Sequence, residues 1–277
     1  MRTPLRSLLL AALLALSPAI ARAVTVSPNA LFIDSRTRSG VLTLYNPGTT
    51  AEEIEITFAF GYPRSDLAGL ISVALADSAP TGEPSVLGFV RAFPRRLRLE
   101  PGQRQTVRIL MQAPAGLAEG EYWGRVLIHS RGGRPPVEQQ QGGIRMQIDV
   151  ETVIVGAVNY RNGTMRTGVV VDSARATVGT RGDSIRILAD LSRRGNAAYI
   201  GRMTIDLVAA DGRVLATMDE DLAVYRSLRK VEYLAVPAGA VLQGATVRYR
   251  FTTERPDIDP ESRLSAEPVT GTIALTR

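Results

Sequence analysis

The stretch that most constrains what this 277-residue chain can fold into is 144–158, IRMQIDVETVIVGAV. Ile144, Met146, Ile148 and Val150 alternate with Arg145, Gln147, Asp149 and Glu151, the two-residue period of a half-buried β-strand. From Thr152 onward the alternation stops, and Val153, Ile154 and Val155 are apolar on both faces. One long strand therefore passes from half-covered to fully covered along its length. It runs out at Asn159-Tyr160-Arg161-Asn162-Gly163, which reads as the close of a first domain. A row of large aliphatics on such a final strand is either core or a surface offered to a partner.

The rest of the first half reads in the same key. Short apolar runs at 24–26, 30–33, 40–45, 53–60, 95–99, 105–111 and 121–130 are separated by turn formers such as Asn46-Pro47-Gly48 and Glu100-Pro101-Gly102. In 53–60 the alternation points Ile54, Ile56 and Phe58 inward and Glu53, Glu55 and Thr57 outward. Residues 62–87 read as loop, and 131–143, RGGRPPVEQQQGG, as a flexible hairpin loop. The second half repeats the style with about seven strands between 168 and 275, including a hairpin turn at Ala210-Asp211-Gly212. Strands at this spacing, with no helical period among them, predict an all-β chain of two tandem immunoglobulin-like β-sandwich domains. The expected divisions are 1–23, 24–162 and 163–277, and the short joint at 160–167 implies that the two sandwiches touch.

The first 23 residues read as a secretory signal. Arg2 and Arg6 precede the apolar run 8–16, and Ala21-Arg22-Ala23 fits the small-x-small cleavage rule. The run is too short to span a bilayer, which takes about 20 residues, so the expected mature product begins at Val24, is periplasmic and has no membrane insertion. Arg2, Arg6 and Arg22 leave with the signal, so the net charge falls from +6 to +3. That mild excess says little about partners. The sequence has no cysteine, so an oxidising compartment is tolerated without disulfide stapling.

An ordered set of segments resembles the first domain of the PapD-like periplasmic pilus chaperones. They are an apolar strand ending in Tyr45-Asn46, then Arg96-Leu97-Arg98-Leu99-Glu100-Pro101-Gly102 followed by Val107-Arg108-Ile109, and finally 146–152, MQIDVET. The second half resembles that family in general type. The resemblance implies a non-catalytic, monomeric chaperone of pilus or other secreted β-rich subunits, with an outer-membrane usher as a further partner. It implies that the long strand is lent to a subunit lacking one, main-chain hydrogen bonds giving affinity and alternate side chains filling pockets. The lending residues would be Ile144, Met146, Ile148 and Val150. The family anchors the subunit's terminal carboxylate with an arginine and a lysine, whose places fall at or beside Ala30 and Val155, and neither residue is basic. Without that pair, charge-assisted bonds of about 1.5–3 kcal/mol each are missing, and capture should lean on the apolar row and the main chain. Glu119-Gly120-Glu121-Tyr122 resembles instead the tyrosine corner of other immunoglobulin-like sandwiches. The alternative reading is a structural or adhesive envelope protein built from the same sandwiches.

Motifs for chemistry are sparse. His129, the single histidine, sits on an apolar strand and reads as a strand residue rather than a base or ligand. No nucleophile elbow, P-loop or dinucleotide fingerprint occurs, so neither an enzyme nor a cofactor is expected. Asp257, Asp259 and Glu261 read as a solvated acidic loop, with no metal expected there. Arg181-Gly182-Asp183 reads as a turn. Arg95, Arg96, Arg98, Arg104 and Arg108 form a basic region without aromatic interleaving, which argues for surface ion pairs and against nucleic acid.

Overall fold

The computed structural model describes residues 23–132, 137–141, 144–148 and 150–276. Apart from Ala23, the signal segment lies outside the described residues. Among the described residues the chain is all-β, with two sandwiches in tandem and one short 3-10 turn at Pro260–Ser262.

In the first sandwich one sheet holds β1 (Thr25–Ser27), β3 (Ser39–Tyr45), β9 (Arg104–Met111) and β7 (Val90–Phe93), in that spatial order. The facing sheet holds β2 (Ala30–Asp34), β13 (Glu151–Asn162), β10 (Gly120–Gly132), β4 (Glu52–Ala59) and β8 (Arg96–Leu99). The alternation predicted for 53–60 is present. Ile54 and Ile56 are buried, and they meet Val126, Ile128, Val158 and Tyr160 from the neighbouring strands in one core with Leu42, Leu44, Val107 and Ile109 from the other sheet. Burying such side chains is worth about 1.5–3 kcal/mol each, and this shared core is what holds the two sheets face to face. Tyr122 closes the predicted tyrosine corner: its hydroxyl donates to the Ala118 carbonyl at 3.0 Å, and burial pushes its pKa up.

The second sandwich faces β14 (Thr167–Val178), β15 (Ser184–Gly195) and β18 (Ser227–Ala235) against β16 (Tyr199–Val208), β17 (Val214–Val224), β19 (Thr246–Thr252) and β20 (Val269–Thr276). A short parallel pairing, Ala176↔Leu275 and Thr177↔Thr276, joins the two layers at one side. Ile185, Ile187 and Leu191 share one core with Ile205, Leu207, Val247 and Phe251 of the facing layer. Arg181-Gly182-Asp183 is a turn, with Gly182 at φ 72° and its N–H on the Gly179 carbonyl at 2.8 Å.

Three expectations change. The long strand is interrupted. Ile144–Ile148 forms β12, which pairs with β11 (Val137–Gln141) as a separate hairpin, and β13 starts only at Glu151 and runs on to Asn162. Part of the supposed loop 131–143 is therefore strand, because VEQQQ pairs antiparallel with IRMQI. The stretch 62–87 is also structured. It carries a hairpin of β5 (Arg64–Ser65) and β6 (Ile71–Ser72) and bridges Phe60↔Ala76 and Ser85↔Trp123. It leans on the second sandwich, where the Arg229 N–H donates to Ser65 Oγ at 2.6 Å and Arg229 Nη1 to the Leu67 carbonyl at 3.2 Å.

Candidate functional site

β13 is covered unevenly along its length. β10 pairs with it throughout, from Glu151 to Asn162. On its other side β2 pairs with it in parallel only from Ala157 to Arg161. Among the described residues, 151–156 therefore has one open edge, the arrangement that invites an added strand. On this segment Ile154 turns into the core. Val153 and Val155 turn outward and are 42% and 45% exposed. The same outward face carries Ala157, Asn159 and Arg161 further along, since successive odd positions share a face.

Of the four residues expected to lend a strand, Val150 lies between the two strands and is 42% exposed. Ile144, Met146 and Ile148 lie on β12, paired with Gln141, Gln139 and Val137, and their side chains are outside the described residues. Sequence reasoning took 153–155 as covered on both faces and so missed Val153 and Val155. The signal that could have found them is the stop of β2 against β13, which periodicity does not carry. Val155, one of the two anchor places, is thus on the open face, whereas Ala30 lies on β2 at the mouth of the cleft between the sandwiches.

That cleft begins where the second sandwich lands on the outer face of the β13–β10–β4 sheet. Phe60, Tyr62 and Trp123 of the first sandwich and Ala198 and Tyr225 of the second form a buried cluster. The Tyr62 and Tyr225 rings stack with centroids 5.5 Å apart, and Trp123 meets Tyr225 edge-on at 5.0 Å. Arg193 and Arg226 lie over the Trp123 ring at 5.6 and 5.7 Å. Burial, and then the nearby Arg226 charge, lowers the Arg193 pKa. Burial raises that of Tyr225.

Glu121 is the polar centre of this contact. Its Oε1 accepts from Arg161 Nε at 3.0 Å, and its Oε2 accepts from Trp123 Nε1 at 3.2 Å and from the backbone N–H of Ala198 at 2.9 Å. Arg161 also donates through Nη1 to the Ser262 carbonyl at 2.6 Å. One carboxylate thereby ties two strands of the first sandwich to the second. A cavity of about 310 Å³ remains beside this contact, lined among others by Ala30, Phe32, Arg125, Asn159, Tyr225 and Ile258.

The remaining polar candidates are engaged locally. His129 lies between Thr57 Oγ1 (2.9 Å) and Glu151 Oε1 (3.1 Å), and Arg131 Nε also reaches Glu151 Oε1 at 3.0 Å. Asp257 is held by Arg255 at 2.6 Å, and this hydrogen bond lowers its pKa. Asp259 accepts the Glu261 N–H at 3.0 Å, capping the 3-10 turn. In the basic region Arg95 and Arg96 pair with Glu55, Arg98 pairs with Glu53 and Glu100, and Arg104 stacks over Tyr45. Among the described residues no group of three or more His, Cys, Asp or Glu side chains is placed to hold a metal ion.

These features define a two-sandwich protein with an open-edged strand leading into an interdomain cleft. No protein-family model matches the chain, and no curated protein does. Solved structures similar to it are pilus-assembly chaperones. They include the CupB2 chaperone of Pseudomonas aeruginosa, at 13% identity over 91% of this chain and 100% of that one, with a TM-score of 0.44. The CsuC–CsuE chaperone–tip adhesion subunit complex of Acinetobacter baumannii matches at 9% identity over 92% and 100%, with a TM-score of 0.45. The SafA pilin–SafB chaperone complex of Salmonella enterica matches at 14% identity over 91% and 96%, with a TM-score of 0.41.

Proposed function

We propose that this chain is a periplasmic chaperone that stabilises pilus-type or other secreted β-rich subunits by lending them a strand. The observation that carries the reading is the open edge of β13 over 151–156, where exposed Val153 and Val155 stand beside main chain that, among the described residues, has no strand partner on that side. An added strand would find main-chain partners at that edge and apolar side chains alternating beside it. We infer that Val150, which is 42% exposed, is lent together with Ile144, Met146 and Ile148 of β12. The absence of basic side chains at Ala30 and Val155 leaves these aliphatics and the main chain to supply the affinity along the edge.

The test is Val155→Asp, with Ile148→Asp beside it, each assayed for folding and for recovery of β-rich polypeptides from the periplasm of the source cells. Hydrogen exchange of 151–156 is followed in any complex recovered. An exposed position tolerates such a change within about 0.5 kcal/mol. The expected result is therefore an unchanged melting temperature, lost recovery, and slowed exchange of 151–156 in the wild-type complex. A folded Val155→Asp protein with full recovery, or a complex in which 151–156 exchanges as in the free protein, refutes the lending role.

A further inference from the structure

The basic region of the first sandwich splits in the fold. Arg95, Arg96 and Arg98, in and beside β8, are paired with Glu53, Glu55 and Glu100. Arg104 and Arg108 lie instead on β9 of the other sheet, next to Arg91 of β7. No Asp or Glu occurs in β1, β3, β7 or β9. Among the described residues none of these three arginines pairs with a carboxylate. Arg91 Nη1 donates to the Val90 carbonyl at 2.7 Å, and Arg104 lies over the Tyr45 ring at 4.6 Å. Asp77 shares a cavity at the β7 edge with Arg91 and Arg95 and makes no ion pair with either.

The pairing register sets this face in rows. Phe93, Arg108 and Val41 are cross-strand neighbours. Arg104 and Tyr45 are neighbours two rows along, with Thr106 and Thr43 between. Their strand neighbours Leu42, Leu44, Val107 and Ile109 turn into the core, so by the period of the pleat these residues turn outward. Phe93 is 72% exposed and Val41 44%, and the three arginines and Thr106 are exposed with them. The contact with the second sandwich is made on the β4 and β10 side, which leaves this face open. Like charges gathered on one face repel one another, and an exposed phenyl ring gains by leaving water.

We propose that the outer face of the β1–β3–β9–β7 sheet docks on an anionic lipid bilayer surface. Guanidinium groups match phosphate in geometry and charge, and the threonine hydroxyls add donors between them. Phe93 and Val41, on either side of Arg108, enter the boundary between headgroups and acyl chains. A single-stranded nucleic acid fits the face less well, because it needs aromatic platforms for its bases. Here the Tyr45 ring is covered by Arg104, and Phe93 has aliphatic Val41 across the row. The protein lies on the bilayer and does not span it. Each arginine near an anionic surface is worth about fivefold in binding, so three give roughly a hundredfold. The inference rests on this face alone and stands whether or not β13 lends a strand.

The experiment sediments the mature protein with vesicles of phosphatidylcholine alone and of phosphatidylcholine mixed with phosphatidylglycerol. Heparin and a single-stranded oligonucleotide are titrated in parallel. Binding to the mixed vesicles alone is expected, with release as salt rises from about 0.05 to about 0.5 M, which shortens the screening length about threefold. The triple variant Arg91→Gln/Arg104→Gln/Arg108→Gln should bind the mixed vesicles roughly a hundredfold more weakly. Phe93→Ser should weaken binding and leave its salt dependence unchanged. The variant Arg95→Gln/Arg96→Gln/Arg98→Gln removes the same charge from the paired arginines and should lose less than about fivefold. Melting temperatures check that each variant folds. Should the first triple variant not fold, Thr106→Glu sets one acid in the middle of the face and should lose at least about fivefold. Equal binding to both kinds of vesicle, or no sedimentation with about 1 mM anionic lipid, the weak end of specific affinity, overturns the proposal. So do equal losses in the two triple variants. Binding to heparin or the oligonucleotide without binding to vesicles overturns it as well, by assigning the face to a soluble polyanion.

Discussion

Replacing Glu121 by glutamine removes one charge and almost no volume, so its effect isolates the electrostatics of the domain contact. Three N–H donors converge on this carboxylate, from Arg161, Trp123 and Ala198. Glutamine offers one carbonyl oxygen and one NH2 group, so in either orientation at least one of the three donors meets another donor. Arg161, whose side chain is 11% exposed, also loses its counter-charge. Breaking a buried pair by removing one partner costs about 3–5 kcal/mol. Arg161 keeps the Ser262 carbonyl at 2.6 Å and lies 4.4 Å from the centre of the Phe32 ring, so the lower end, about 3 kcal/mol, is expected. For a chain of this size each kcal/mol moves the melting temperature by roughly 2–4 °C, giving a drop of roughly 6–12 °C. Urea unfolding and calorimetry of Glu121→Gln measure it, with Glu119→Gln as the control, an equal change of charge at an exposed neighbour. Because the Ala198 bond crosses between sandwiches, the two should also begin to unfold separately. A loss below about 1 kcal/mol, or one matched by Glu119→Gln, would show that Glu121 does not hold the contact together.

Two further outcomes are expected. Lys230, the sole lysine of the sequence, is buried between Glu220 (3.3 Å) and Glu232 (2.5 Å). Although burial opposes it, the two glutamates hold its pKa above the ordinary lysine value of about 10.5. Its stabilisation is then fully present below that value and lost as pH rises through the folded pKa, and mass spectrometry should find Lys230 unmodified by amine reagents at pH 8 until the protein is denatured. The hydrogen bond from Arg229 lowers the Asp190 pKa below 3.8. Its contribution is present above the unfolded value and lost as pH falls through the lower folded one, so Asp190→Asn should flatten the acid limb of a pH–stability curve below about pH 4 and leave the neutral region's slope unchanged.

Legibility in the sequence followed the range of the interaction. The inward row of β4 was readable because Ile54 and Ile56 recur at the period of the pleat, and the Tyr122 corner was readable because its acceptor, Ala118, is four residues away. The break of the long strand was not readable. Ile144, Met146, Ile148 and Val150 alternate straight through the point where β12 ends, and alternation reports which faces are covered and not which edge is paired. Nor could periodicity place the end of β2, which is what leaves Val153 and Val155 open. The cleft was further out of reach. Tyr62 came from a stretch read as loop, Trp123 from a strand, and Tyr225 from the other half of the chain, and nothing local marks them as neighbours. Glu121 and Arg161 looked like ordinary strand polar residues, 40 positions apart. Arg125 and Asn159 were indistinguishable from solvent-facing side chains, because their outward positions become buried only where the second sandwich covers that end of the sheet. The same face thus carries exposed aliphatics at one end and buried donors at the other, and the second sandwich makes the difference. A change that loosens the domain contact, such as Glu121→Gln, should therefore disturb the cleft before it disturbs the open edge of β13.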